Sequence, residues 1–165
     1  MKELILIRHA KSSWSNPLLE DFERPLNKRG AKNAPFMAKI LKQKELNPDL
    51  IISSPSKRTK DTLDFFIKEF DYKGEIIFEE SIYEAPYITI LKVIKNIDDK
   101  HKTIFLFGHN PGLNDLADFL LGRFEDNIPT SGVLKINFNI SKWEDIKEKI
   151  GILEFFIYPK MFDKS

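Results

Sequence analysis

Arg8 and His9 stand together at the end of an apolar run, "LILIRHA". Arg58 closes the stretch "SSPSKR", and His109 lies between two glycines in "GHNPG". A neutral histidine is a nucleophile or proton carrier near pH 7. Arginine presents a planar fork of donors that matches the oxygens of a phosphoryl group. Two arginines and two histidines, with nothing acidic from these three segments, would form a site for a doubly charged anion. The simplest such anion is a phosphoryl group. A helix starting at Pro111 would add backbone donors and a positive dipole end.

These side chains work together only if the fold brings them to one place. Residues 4–7 form a continuous apolar run, as in a strand buried on both faces. A polar segment follows, and Asn27 is placed to cap a helix reaching about Lys44, with Pro35 expected to kink it or shift its start. "DLIIS" (49–53) reads as a second buried strand, and Pro55 as part of the first turn of a helix ending near Phe70. Within that helix Leu63, Phe66, Ile67 and Phe70 share one face and read as core. "EIIFEE" (75–80) and "TIFLFGHN" (103–110) read as strands, with a helix over 87–97 between them and another from Pro111 to Leu121. "VLKINFNI" (133–140) and "ILEFFIY" (152–158) read as an antiparallel pair at a sheet edge.

Alternating strands and helices predict a three-layer α/β/α sandwich with a mostly parallel central sheet and an antiparallel edge strand. Ligands of such sheets bind beyond the carboxyl ends of the strands. Arg8-His9, Ser53–Arg58 and Gly108–Gly112 all follow strand ends, so parallel neighbouring strands would gather them at one edge.

The motifs resemble, in order, those of the histidine phosphatase superfamily. Arg8-His9-Ala10 is similar to its "RHG" strand end, with alanine for the usual glycine. "RPLNKRG" (24–30) resembles its "PL-x-x-x-G" helix start, "SSPSKRTKDT" (53–62) its "SSP-x-x-R-x-x-x-T" segment, and "LFGHNPG" (106–112) its second-histidine motif. The short length, "RHAKSSW" and "GHNPG" look most like the SixA-type branch, the phosphohistidine phosphatases, which "YPK" (158–160) also suits. The resemblance implies a phosphoglycerate mutase-like fold and one histidine phosphatase domain over 1–165. It implies His9 as nucleophile, forming a phosphohistidine intermediate, with its other ring nitrogen protonated and held by a carbonyl or similar acceptor. It implies Arg8, Arg58 and His109 on the phosphoryl oxygens, Arg24 at a position that is basic in SixA-type proteins, and no metal or cofactor. Glu84 in "SIYEA" matches the mutase-like acid position, with Ile82 for leucine. An exposed loop carboxylate is its other reading.

Composition bounds the alternatives. The 165 residues suffice for one domain with a real core. There is no cysteine, which excludes disulfides and thiolate chemistry and fits a reducing compartment. The net charge of +1, from 26 basic and 25 acidic residues, has no block of one sign, so neither nucleic acid nor membrane is an expected partner. The first apolar run breaks at Arg8, too soon for a signal peptide, and a cytoplasmic location is expected. The expected substrate is protein phosphohistidine, with a small phosphate ester as the alternative. A metallohydrolase using His9, His109 and Glu84 would place its dication beside two arginines. A non-catalytic phosphate or phosphoprotein-binding module would have little use for an intact His9. Nothing in the sequence sets the oligomeric state or the roles of Trp14 and Trp143. Trp14 reads equally as a lining of the site's mouth or as an anchor of its loop.

Overall fold

The computed structural model describes residues 1–163; the last two residues of the domain expected over 1–165 lie outside them. Ten main elements follow one another: β1 (Lys2–Arg8), α1 (Lys28–Lys42), β2 (Leu50–Ser53), α2 (Lys57–Phe70), β3 (Ile76–Phe78), α3 (Tyr87–Lys95), β4 (Thr103–Gly108), α4 (Gly112–Leu121), β5 (Val133–Phe138) and β6 (Ile152–Ile157). The six strands form one sheet in the order β3-β2-β4-β1-β5-β6. β3, β2, β4 and β1 are mutually parallel, and β5 is antiparallel to both of its neighbours. The antiparallel strand is therefore one in from the edge, and β6 closes that side.

Successive side chains of a strand point to opposite faces. Leu4 and Leu6 of β1, with Ile104 and Leu106 of β4, pack under Ile90 and Ile94 of α3 and Leu113 and Leu116 of α4. Ile5, Ile7, Phe105 and Phe107 face the other way, against Met37 and Leu41 of α1 and Leu63 and Phe66 of α2. This two-sided burial is why "LILI" and "IFLF" carry no polar residue. Each such side chain contributes about 1.5–3 kcal/mol of transfer free energy. Ile67 and Phe70 pack, partly buried, against the second core, as their helical spacing predicts.

Asn27 caps α1, its side chain accepting from Gly30 N–H at 2.8 Å. The helix runs through Pro35 instead of starting after it. The carbonyl that Pro35 leaves unpaired belongs to Ala31, which is exposed, so water can satisfy it. Pro55 precedes the α2 cap residue Ser56 and is not in the first turn. β3 stops at Phe78 because Glu80 already begins a turn of 3-10 helix. Trp143 is fully buried, and its indole N–H donates to the His101 carbonyl at 2.9 Å. It anchors the β5–β6 connection beside the start of β4, at the opposite end of the sheet from Arg8. No helix among the described residues is long and apolar enough to cross a membrane.

Candidate active site

The register of the parallel strands sets the site. Arg8 pairs with Gly108 across β1 and β4, and Ser53 pairs with Phe107 across β2 and β4. The next residues, His9, Ser54 and His109, therefore leave the sheet side by side. The His9 and His109 rings lie 5.1 Å apart. Arg8, His9, Arg24, Arg58, Glu84 and His109 all line one cavity of about 310 Å³. His9, Arg24, Arg58 and His109 are buried in its floor, whereas Lys11, Trp14 and Glu84 are exposed at its mouth. A cavity of about 520 Å³ between β2, β3 and α3 is lined by aliphatic side chains such as Leu50, Ile52 and Ile77 and by acidic Glu75, Glu79 and Asp98, and it has no arginine.

His9 has a determined tautomer. Its Nδ1 lies 2.8 Å from the Ala10 carbonyl, which can only accept, so Nδ1 carries the proton. Nε2 keeps a lone pair, and Arg58 Nε–H donates toward it at 3.4 Å. The Ala10 amide donates to Thr62 Oγ1, and Thr62 donates to the Arg58 carbonyl, both at 2.8 Å. Thr62 thus ties the His9 loop to the first turn of α2. His109 Nε2 donates to Ser54 Oγ at 2.7 Å, because its Nδ1 faces the Arg58 guanidinium at 3.5 Å and must accept.

Two glycines hold the walls. A Cβ on Gly30 would lie 2.1 Å from the Lys11 carbonyl, and one on Gly112 would lie 2.3 Å from the Ala85 carbonyl. The first contact presses α1 against the segment after His9; the second presses α4 against the segment that carries Glu84.

The α4 N-terminus differs from expectation in one respect. The Leu113 amide donates to the His109 carbonyl, and the Asn114 amide donates to Asn110 Oδ1. The helix end supplies its dipole here, and Asn110 caps it. Arg24 reaches the cavity, but Ser13 O, Ser12 Oγ and Asp21 Oδ1 take three of its five N–H donors. Arg8 Nη1 donates to the Ile128 carbonyl, while its buried Nε finds no partner among the described residues. That orphaned donor suits an anion oxygen.

The family model described as histidine phosphatase superfamily (branch 1) matches residues 4–90. The chain belongs to the histidine phosphatase superfamily. Arg8, His9, Arg24, Arg58 and Glu84 lie inside the matched stretch, and His109 lies beyond it. An uncharacterised chloroplast protein of Arabidopsis thaliana is 35% identical over 130 residues, which cover 73% of this chain and 60% of that protein. The chain thus spans well under the full length of that relative. A solved structure described as a candidate phosphohistidine phosphatase SixA from Agrobacterium tumefaciens matches with a TM-score of 0.84 at 26% identity, over 96% of this chain and 98% of that one. The protein histidine phosphatase SixA complexed with tungstate shares the fold, with a TM-score of 0.84 at 16% identity over 98% and 99% of the two chains.

Asp21 is the part of this candidate site that sequence reasoning missed. It lies in a short 3-10 turn, Asp21–Glu23. Its carbonyl accepts from Arg58 Nη1 at 2.8 Å, and its carboxylate accepts from Arg58 Nη2 at 3.0 Å, from Arg24 at 2.9 Å and from the Tyr83 hydroxyl. The available signal was Asp21 three residues before Arg24, the spacing of a helical ion pair. Glu84 sits above this cluster, 58% exposed, with Oε1 3.9 Å from Arg58 Nη2. Its φ of 51° is left-handed, a conformation that non-glycine residues adopt mainly where surrounding structure imposes it.

The electrostatics follow from burial and from the arginines. Burial pushes His9 down to about 4; the bond to Ala10 opposes this, and Arg58, Arg8 and Arg24 add to it. His109 falls to about 3 through burial, then His9 and Arg58. Both imidazoles are therefore neutral at pH 7. Burial would raise the Asp21 carboxyl, but the hydrogen bonds from Tyr83 and Arg24 and the Arg58 charge outweigh it and hold the group far below its usual range. Glu84 moves up, first through its side-chain hydrogen bond with Asp21 and then through desolvation. Of the two carboxyls, Glu84 has the greater proton affinity.

The histidine shifts predict a stability profile. A histidine depressed in the folded state takes up protons in the unfolded chain first. Stability is full above about pH 6.5, the unfolded value, and falls as pH drops towards 4. For two buried rings the loss is on the order of a few kcal/mol. The lowered carboxyls Glu3, Asp21 and Glu154, with ordinary values of 4.5, 3.8 and 4.5, act only at the acid end of this window and below it. Urea midpoints at pH 7.5 and 5.0 should differ clearly in the wild type and by less in His109→Gln. Equal midpoints in the wild type would exclude buried neutral histidines.

Proposed function

We propose that the protein is a phosphatase that removes the phosphoryl group of protein phosphohistidine through a covalent intermediate on His9. The observation that carries this reading is the fixed tautomer of His9. Its Nδ1 proton is committed to the Ala10 carbonyl, so Nε2 keeps the lone pair for attack, in a cavity lined by arginines.

His9 Nε2 attacks phosphorus in line, the bond from phosphorus to the leaving nitrogen breaks, and a phosphohistidine forms on His9. Arg8 and Arg58 match the charge spread over the equatorial oxygens of a loose transition state. His109 enters neutral, with its only N–H on Ser54. The phosphoryl charge favours a second proton on Nδ1, which then donates to a phosphoryl oxygen. The leaving nitrogen takes the proton of Glu84 as it departs; water next attacks phosphorus, Nε2 is released, and Glu84, now a carboxylate, accepts the proton of that water. The arginines supply the charge stabilisation that a metal ion gives other phosphoryl-transfer sites.

Two observations favour a protein substrate. α3, with nine residues, is the only α-helix between β3 and β4, so little chain is present to close over a small molecule. The mouth carries exposed Lys11, Trp14 and Glu84. A second reading, hydrolysis of small phosphate esters, is favoured by the raised proton affinity of Glu84 at the cavity mouth. An alkoxide leaving group needs that proton; imidazole is a far weaker base and needs it less.

Phosphate release from a phosphohistidine-carrying protein and from small phosphoesters, in chelator, tests both readings. Faster release from phosphohistidine, unaffected by chelator, is the expected result; the opposite ranking would move the assignment to esters. Glu84→Gln should slow ester hydrolysis about 10²-fold or more and phosphohistidine hydrolysis far less. An equal effect on both would remove Glu84 as the proton donor.

A further inference from the structure

Trp14 is 77% exposed, yet it lines the same cavity as His9. The Arg24 guanidinium carbon lies 3.2 Å from the centroid of its ring. That stack is held from behind: Arg24 is 6% exposed, and three of its five N–H donors are taken by Ser12, Ser13 and Asp21. One face of the indole is thus backed by a fixed cation and the other is open. An aromatic that anchored its loop to the core would be buried, as Trp143 is at 0% exposure.

In-line attack defines which part of a substrate meets Trp14. His9 Nε2 is in the floor, so the leaving group points away from the floor and departs through the mouth. Trp14, Lys11 and Glu84 are the exposed residues of that lining. Glu84 can protonate what leaves; Trp14 offers it a flat apolar face.

We propose that Trp14 is a specificity-determining residue whose open face, backed by Arg24, stacks on a planar leaving group such as the imidazole of a phosphohistidine. The proposal rests on the phosphatase reading above and names the part of the substrate that the site reads. It places phosphoramidates of imidazole and aryl phosphates ahead of alkyl phosphates of equal charge.

Two measurements test it. The first compares kcat/KM for phenyl phosphate and for an alkyl phosphate in wild type, Trp14→Phe and Trp14→Ala. An aromatic stacking contact corresponds to about fivefold to tenfold in affinity. Trp14→Ala should lower the aryl-to-alkyl ratio by that factor, mainly through KM, and Trp14→Phe should restore most of it. Trp14 is exposed, so its truncation removes little buried surface. An unchanged ratio would overturn the proposal. The second titrates the protein with phenylphosphonate and methylphosphonate and follows tryptophan fluorescence. The chain has two tryptophans, and only Trp14 is exposed. Phenylphosphonate should quench the solvent-exposed emission more strongly than methylphosphonate, and Trp14→Phe should abolish the difference. Equal quenching, or a difference that survives in Trp14→Phe, would count against stacking. If the wild type hydrolyses nothing, the phosphatase reading fails, while the phosphonate titration still decides the stack.

Discussion

A His9→Ala protein is expected to lose phosphate release by at least about 10⁴-fold, with every substrate that the wild type cleaves. No other side chain can take over the attack. His109 is buried beside His9, but its Nδ1 faces Arg58 and its Nε2–H is committed to Ser54. Glu84 carries the raised proton affinity and is a poor nucleophile while protonated. The fold should survive. The substitution leaves the Ala10 carbonyl without its donor, at about 1–3 kcal/mol, within the margin of an ordinary domain. It also removes a buried base, so His9→Ala should lose less stability than wild type between pH 6.5 and 4. A quenched reaction with labelled substrate reads the intermediate directly. Label should appear on the wild type as an alkali-stable, acid-labile phosphoramidate and be missing from His9→Ala. Label retained in His9→Ala, or turnover within tenfold of wild type, would rule out the covalent mechanism at this residue.

Most of this site is legible in the sequence because it is built where strands end. The apolar runs at 4–7 and 103–107 identify strands buried on both faces, and the residues that follow them are placed by the sheet itself. Parallel pairing then puts His9 beside His109 without any long-range information from side chains. The glycines of "RPLNKRG" and "GHNPG" and the threonine of "SSPSKRTKDT" have local reasons. Gly30 and Gly112 sit against carbonyls, and Thr62 bridges Ala10 to Arg58. Asp21 was not legible, because its role depends on Arg58, 37 residues away, while its own surroundings read as a solvated polar turn. Arg24 was visible as a basic position, but its commitment to Ser12, Ser13 and Asp21 depends on how the loop after His9 folds back. Helix ends moved by a residue or two where solvent could satisfy the backbone equally well, as at Lys42, where α1 stops short of the expected Lys44.

Arg58→Lys should lower kcat/KM by about 10³-fold, nearly as much as Arg58→Ala, because the site uses the guanidinium as a fork. Its Nη1 and Nη2 are clamped by Asp21 at 2.8 and 3.0 Å, and its Nε points at His9 Nε2 at 3.4 Å. A single ammonium on a flexible stem cannot make the three contacts together. In the proposed reaction Asp21 acts through this clamp. Asp21→Asn should cost about 10- to 10²-fold in the wild-type background, since a charged partner is exchanged for a neutral one. In the Arg58→Ala background the same change should cost less than about threefold, because residues that share one network do not add. The pH profile separates this positioning role from a general loss of stability. Asp21 holds the proton on Glu84. With esters, Asp21→Asn should therefore move the alkaline limb of kcat to lower pH, because Glu84 then loses its proton earlier. A structural defect would scale the whole profile and leave its limbs in place. Strict additivity of the two substitutions, with unmoved limbs, would reduce Asp21 to a surface ion pair and leave Arg58 to be oriented by His9 alone.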